Sequence, residues 1–494
     1  MAEMKRLAKE TAVYGFSSIL GRFLNWCLVP FYTYVLSGPK EYGVVAELYA
    51  WTAVLLVILT YGMETGFFRF ANKDENNAES VYSTSLASIG VTSFLFIILI
   101  TVFLPWVSGT IGYGTHPEFI WMMAFVVAID AYCAIPFAWL RFKRRPLYFA
   151  FLRVLMIVVN IIFNLFFLWI CPKINVTHPE LISWFYNPDY GVGYVFVANV
   201  ISSVVGLAAL IPTFLDIKWK INFVLLKKML VYSLPLLALG IAGIMNQSLD
   251  KMILKHLYGN IELGTEQLGI YTACFKIGIV MMMFTQAFRY AYEPFVFSKH
   301  KQSDNKQSYS EAMKYYIIFS VLVFLGVMFY LDVLQYLVKA DYREGLVVVP
   351  IVLLCYIFQG ISFNLSFWYK LTDKTNWGAY ISIFGLVITL AGNLIFVPRY
   401  GYIASAWSSF VCFLVMMIIS WVMGQKYYPI DYNLKIVGKY SIVGAAFYFA
   451  GMYLPIENIY IRLSYRTVLL LAFIFYVVKK EMPSKSIPFA SFKN

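Results

Sequence analysis

Residues 11–36 read TAVYGFSSILGRFLNWCLVPFYTYVL, an apolar run long enough to cross a bilayer as a helix, with Arg22 in its middle. Steps of three and four residues link Thr11, Gly15, Ser18, Arg22, Asn25, Val29 and Thr33, so a helix sets them on one face. Val13, Leu20, Leu24, Phe31 and Val35 fall opposite. Arg22 stands about eleven residues into the run, which at roughly 1.5 Å per residue places it near mid-membrane. A charge there costs roughly 2.5–3.5 kcal/mol on insertion scales and normally faces a wet cavity or a partner. The stretch predicts a membrane helix whose polar face addresses something negative.

The rest of the chain has the same character. Of 494 residues, 61% are hydrophobic and 13% charged, about half the charged fraction of a soluble domain. In a soluble protein the net charge of +13 would suggest nucleic acid. In a membrane chain it follows from Lys and Arg gathering in the connections on one side, so no nucleic-acid partner is expected. The first apolar run lacks a small-residue cleavage site and reads as an uncleaved first span. The six cysteines are scattered, without a CxxC pair, and the four histidines form no HExxH. Neither a disulfide framework nor a metal site is supported. No P-loop, GxSxG or kinase set appears, so nothing suggests ATP hydrolysis or covalent chemistry, and no enzyme is expected.

Fourteen segments are long enough to span, near 11–36, 43–68, 80–107, 119–140, 147–170, 193–214, 229–249, 267–292, 313–338, 345–369, 377–397, 402–425, 434–454 and 463–478. With alternating sides, the Lys and Arg in and beside the connections favour the side of both termini nearly threefold. Both ends are therefore expected in the cytoplasm. Residues 216–228, DIKWKINFVLLKK, are basic and partly amphipathic and fall where two bundles of six spans would join. Glu41-Tyr42-Gly43-Val44 and Gln267-Leu268-Gly269-Ile270 open spans two and eight alike, an echo of repeated halves.

Charges within the spans mark candidate function. The bases are Arg22, Arg153, Lys276 and Arg289; the acids are Glu47, Glu64, Asp130, Asp250 and Glu293. In span five Arg153, Ile157, Asn160 and Asn164 share a face, as do Gly243, Asn246 and Asp250 in span seven. In span eight Lys276 and Gln286 lie close around the helix, whereas Arg289 points away and stands four residues from Glu293, a pairing distance. Glu64 and Arg69 stand together at the cytoplasmic end of span two. Two readings compete: charges that neutralise one another and fix packing, or a cationic cavity for an anionic headgroup. Arg suits phosphate by bidentate geometry and Lys by compact charge.

ILGRFLNWCLVPFYTYVLSGPKEYGVVAELYAWTAVLLVILTYGMETGFFRFAN, residues 19–72, resembles the first two helices of bacterial polysaccharide-export (Wzx-type, O-antigen) flippases. NQSLDKMILKHLYG and LGIYTACFKIG are similar to their spans seven and eight. These flippases belong to the multidrug/oligosaccharidyl-lipid/polysaccharide (MOP) superfamily. The resemblance implies an all-α membrane protein of fourteen transmembrane helices, with two pseudo-symmetric six-helix lobes and two further helices. The lobes would be 1–215 and 229–427, joined by the linker 216–228 and followed by 428–494. The implied cargo is an oligosaccharide on undecaprenyl pyrophosphate, turned from the cytoplasmic to the periplasmic leaflet of the inner membrane. By analogy Arg22 matches a cavity Arg and Lys276 a span-eight base. Asp250-Lys251 resembles an Asp-Arg pair, with Lys replacing Arg.

On this reading Arg22, Lys276 and Arg153 attract the pyrophosphate, Asn25, Asn160, Asn246 and Gln286 hydrogen-bond sugars or phosphate, and Asp250 joins the same set. Glu47, Glu64, Asp130, Arg69, Arg289 and Glu293 are candidates for gating or for coupling to Na⁺ or H⁺; no cofactor is called for. Membrane lipids, a glycan polymerase and glycosyltransferases are the expected partners. The rivals are a drug exporter of the same fold, which needs a dominant cavity carboxylate, and a membrane O-antigen polymerase or ligase, which needs a large periplasmic loop that this chain lacks.

Overall fold

The computed structural model describes residues 20–73, 77–215, 219–299, 305–372 and 374–481. Thr11, Gly15 and Ser18 of the first stripe and Val13 of the opposite face lie outside the described residues, as does the side chain of Glu293. No strand occurs among the described residues. The long helices are α1 (20–35), α2 (Pro39–Ala71), α3 (Ala78–Val102), α4 (Pro117–Phe142), α5 (Pro146–Thr177), α6 (Gly193–Leu210) and α7 (Phe223–Leu257). They continue as α8 (Ile261–Lys299), α9 (Asn305–Phe329), α10 (Ala340–Leu371), α11 (Asn376–Tyr400), α12 (Tyr402–Tyr427), α13 (Leu434–Tyr453) and α14 (Ile459–Glu481). Twelve of these contain stretches long and apolar enough to cross a membrane; α1 and α13 complete the set. Each expected segment falls on one of the fourteen helices. The chain is an all-helical, multi-pass membrane protein.

Proline and glycine account for the shifted boundaries. The third segment, expected to reach 107, stops at Val102, and Pro105 opens a separate short helix, Leu104–Thr110. Pro has no N–H to continue the ladder and clashes with the preceding turn. The fifth, expected to end at 170, runs to Thr177 through a π-turn at Phe166–Ile170, with Pro172 at the start of the segment that follows. A wider turn there spares a hydrogen bond that Pro172 could not make. Helix α2 breaks at Tyr61 and Gly62, both left-handed (φ 32° and 69°). A side chain at Gly62 would meet the Ser233 carbonyl of α7 at 2.9 Å, so close approach and backbone conformation both require glycine.

The chain divides into two compact units. Unit 1 holds residues up to Ala273 and Gly378–Ser409; unit 2 holds Cys274–Trp377 and the residues from Phe410 onward. The division falls within α8 rather than at 216–228, because α7 and the first turns of α8 pack on α2. Phe67, Tyr82 and Trp139 centre one core of unit 1, with Tyr82 and Trp139 rings 4.7 Å apart. Leu325, Phe329 and Phe473 do the same where α9, α13 and α14 meet in unit 2.

The echo between spans two and eight becomes a contact. A Cβ on Gly43 would overlap the Thr265 carbonyl, and one on Gly269 would overlap the Pro39 carbonyl. Each glycine meets the residue four positions before the other, so α2 and α8 cross as near equivalents with their backbones touching. Lipid tails supply no hydrophobic drive between helices, so such close packing is what holds them. Gly269→Val is therefore expected to destabilise the solubilised protein by about 1–3 kcal/mol, the ordinary penalty of overpacking. A thermal-unfolding midpoint below that of the parent checks this.

Candidate functional site

The polar stripe of α1 divides at its middle. Arg22 and Asn25 are exposed, whereas Val29 and Thr33 are buried. The reason is a ladder of side chains holding the second half of α1 inside unit 1. Tyr32 donates to Asn164 Oδ1 (3.0 Å), and Asn164 donates to Asn160 Oδ1 (3.2 Å). Asn160 donates to Asn199 Oδ1 (3.2 Å), and Asn199 to the Tyr49 hydroxyl (2.8 Å). Helices α1, α5, α6 and α2 are thus tied by neutral hydrogen bonds, which apolar surroundings make costly to leave unmade. Asn160 and Asn164 do share a face, as their spacing predicts, and that face is engaged by protein. Gly21 packs within reach of Ile157, leaving Arg22 on the open side of the helix.

The acids of unit 1 are committed to partners inside the chain. Glu47 is 0% exposed and pairs with Lys255, 1% exposed, at 2.6 Å. Tyr113, in the α3–α4 connection, donates to the same Glu47 Oε2 at 2.5 Å, and Lys255 also donates to the Ile111 carbonyl at 2.6 Å. Burial and the Glu47 carboxylate push the Tyr113 phenol well above its ordinary range, so it stays a donor. Asp250, also buried, accepts from Tyr271 at 2.7 Å and from Lys251 at 3.0 Å. Near the break in α2, Glu64 pairs with Arg141 of α4. Arg69 lies instead over the Tyr232 ring of α7, at 4.0 Å.

Asp130 accepts from Ser203 of α6 at 2.9 Å. Arg153 reaches back across α4, its guanidinium 3.9 Å from the Phe137 ring centroid and within electrostatic reach of Asp130 and Glu64. Asn246 donates to the Ser382 carbonyl of α11 at 2.9 Å. Of the residues expected to bind cargo, unit 1 thus holds Asn160, Asn246 and Asp250 in its interior and leaves Arg22, Asn25 and Arg153 exposed.

In unit 2, Lys276 and Gln286 are half-buried on α8, and Arg289 lies over the Phe363 ring at 4.4 Å. The expected Arg289–Glu293 pair falls on a side chain outside the described residues. Two charged clusters escaped the sequence reading. Lys255 was counted with a connection and is fully buried. Arg466 was counted at a span flank and is 4% exposed within α14, bonded to Asp332, Phe329 O and Gly451 O. Its i−4 neighbour Arg462, on the same helical face and bound to the same Asp332, was the available signal.

The family described as polysaccharide biosynthesis protein matches residues 7–289, more than half of the chain. A second, described as MatE, matches residues 241–395. No curated protein matches the chain. Among solved structures, it is similar to "Lipid II flippase MurJ, inward closed conformation", with TM-score 0.72 and 14% identity over 96% of this chain and 100% of that one. It is also similar to an inward-facing "multidrug resistance MATE family transporter of the MOP superfamily" (TM-score 0.66, 13% identity, 85% of this chain and 96% of that one). A third is the MATE multidrug transporter DinF-BH in complex with R6G (TM-score 0.61, 15% identity, 85% and 95%). At such identities the likeness is one of fold. The match over residues 7–289 shows that the chain belongs to the polysaccharide biosynthesis protein family.

Proposed function

We propose that this protein is a flippase for a lipid-linked oligosaccharide with an anionic, pyrophosphate-type headgroup, carried on undecaprenol. It moves the glycan from the cytoplasmic to the periplasmic leaflet of the bacterial inner membrane, with both termini cytoplasmic. The observation that carries the reading is the fate of the acids. Glu47, Glu64 and Asp250 are each held by a base of the same chain, and the exposed polar groups of the first span include the base Arg22 and the amide Asn25. A site for organic cations would keep a carboxylate for its cargo. A pyrophosphate ligand calls for guanidinium and ammonium groups, which unit 1 offers as Arg22 and Arg153 with the amide Asn25, and unit 2 as Lys276 with Gln286.

The proposed cycle is alternating access: two six-helix lobes rock around the neutralised headgroup, and the polyprenyl tail stays in lipid. In a glycan-export complementation assay, Arg22→Ala is expected to lower export about tenfold or more, the worth of a charge-assisted hydrogen bond of roughly 1.5–3 kcal/mol. Arg22→Lys falls between, because it keeps charge and loses the bidentate fork. Lys276→Ala behaves like Arg22→Ala. Parental export by a normally inserted Arg22→Ala overturns the reading.

The MatE match over residues 241–395 favours drug export as the second reading. Raised drug tolerance on overexpression, with no glycan-export complementation, would select it.

A further inference from the structure

Glu47 and Lys255 sit at the end of unit 1 that bears the α1–α2, α3–α4 and α7–α8 turns. On the topology proposed above this is the periplasmic end. Lys255 enters a socket made wholly by the first four helices: the Glu47 carboxylate (2.6 Å), the Ile111 carbonyl (2.6 Å) and the Tyr113 ring face (4.2 Å to its centroid). The socket is formed by α2 and the α3–α4 connection, and the ammonium that fills it comes from the last turn of α7. His256, next along α7, approaches the other Glu47 oxygen at 3.8 Å. Around the pair lie the glycine crossing of α2 with α8 and, at the surface, the exposed Lys40–Glu262 pair at 2.8 Å.

We propose that the Glu47–Lys255 pair is the latch of the periplasmic gate, closed when the Lys255 ammonium is seated and open when it is withdrawn. This rests on the flippase reading for its place in a cycle, and on geometry alone for its parts.

The ionic chemistry suits a latch that must release. Burying two charges costs about as much as their attraction returns, so a seated pair adds little net stability. On withdrawal both ions regain water, and the open state is not strongly penalised. An apolar plug of the same size would hold the gate shut. The pair also enforces register, because an ammonium displaced by one turn leaves a buried carboxylate alone.

The test reads gate position without cargo. Thr265 of α8 is 5% exposed beneath Gly43, so a cysteine there is shielded when the helices cross and reachable when they part. Among the six native cysteines only Cys27 is exposed, so a Cys27→Ser, Thr265→Cys parent is labelled from the periplasm with a membrane-impermeant maleimide. Lys255→Met, which strands the carboxylate, is expected to raise the labelling rate severalfold over the parent. Glu47→Leu with Lys255→Met is expected to drop it below the parent and to stop glycan export while the protein accumulates normally. The swapped pair, Glu47→Lys with Lys255→Glu, returns labelling toward the parent. If Lys255→Met does not accumulate, Glu47→Gln carries the same expectation as a milder change. Equal labelling in all these backgrounds overturns the latch and leaves the flippase reading to its export assay.

Discussion

Arg466→Met is expected to lower the thermal midpoint of the solubilised protein sharply, by the equivalent of about 3 kcal/mol or more. In the structure Arg466 is 4% exposed. Its Nε donates to the Gly451 carbonyl at 2.9 Å, and one terminal nitrogen donates to the Phe329 carbonyl (3.2 Å) and to Asp332 (2.8 Å). Those carbonyls close α9 and approach the end of α13, where helices leave backbone acceptors without intrahelical partners. One guanidinium serves two such carbonyls and the Asp332 carboxylate, each charged bond worth roughly 1.5–3 kcal/mol. Methionine fills the space and makes none of them. Arg462 keeps its own bond to Asp332 at 2.8 Å, so the carboxylate is not abandoned and the protein is expected to fold. Arg466→Lys should land between parent and Met, because a single ammonium cannot reach all three acceptors. A midpoint unchanged by Arg466→Met would show that α13 and α14 are fastened by their apolar faces alone.

The second large effect is a coupling. Lys255→Met strands the buried Glu47 carboxylate and is expected to cost about 3–5 kcal/mol, as breaking a buried ion pair from one side does. Glu47→Leu alone strands the ammonium, which retains the Ile111 carbonyl, and should cost somewhat less. With both residues apolar, midpoints are expected at or above the parent, since neither desolvated charge remains. The double-mutant cycle thus has a large interaction energy of known sign. Simple addition of the two losses would show that the residues stabilise their helices independently, and the pair would lose its standing as one unit.

What could be read from the sequence depended on how local the cause was. Fourteen helices were legible because each needs about twenty apolar residues, a property of one stretch. Their ends were less so. Pro105 did stop a helix, whereas Pro172 sits within one because a π-turn accommodates it. Arg22 was legible as a base on the polar face of the first span and is exposed, yet the burial of Val29 and Thr33 on the same face was not legible. That burial depends on Tyr32 reaching Asn164, a contact no helical period reports. The shared face of Asn160 and Asn164 was correct by spacing, and its partners, Asn199 and Tyr49, came from other helices. Lys255 was the largest omission. It follows the last apolar turn of α7 and looks like a connection residue, and only the folded chain brings it to Glu47.

The same rule applies to function. An isolated carboxylate in an apolar run invites a role in ion coupling. In the folded chain Glu47, Glu64 and Asp250 each pair with a base, Lys255, Arg141 and Lys251. On the proposed function, the exposed Arg22 and Asn25 of α1 are the cation and amide that a phosphorylated sugar carrier would meet.

The most direct measurement is flipping itself. The purified protein, in sealed vesicles with a fluorescent undecaprenyl-pyrophosphate oligosaccharide, is exposed to an impermeant quencher. The account predicts that the parent moves label into the protected leaflet and that folded Arg22→Ala protein does so at least about tenfold more slowly. Equal rates for parent and Arg22→Ala, or no movement by a parent that restores export in cells, would contradict it.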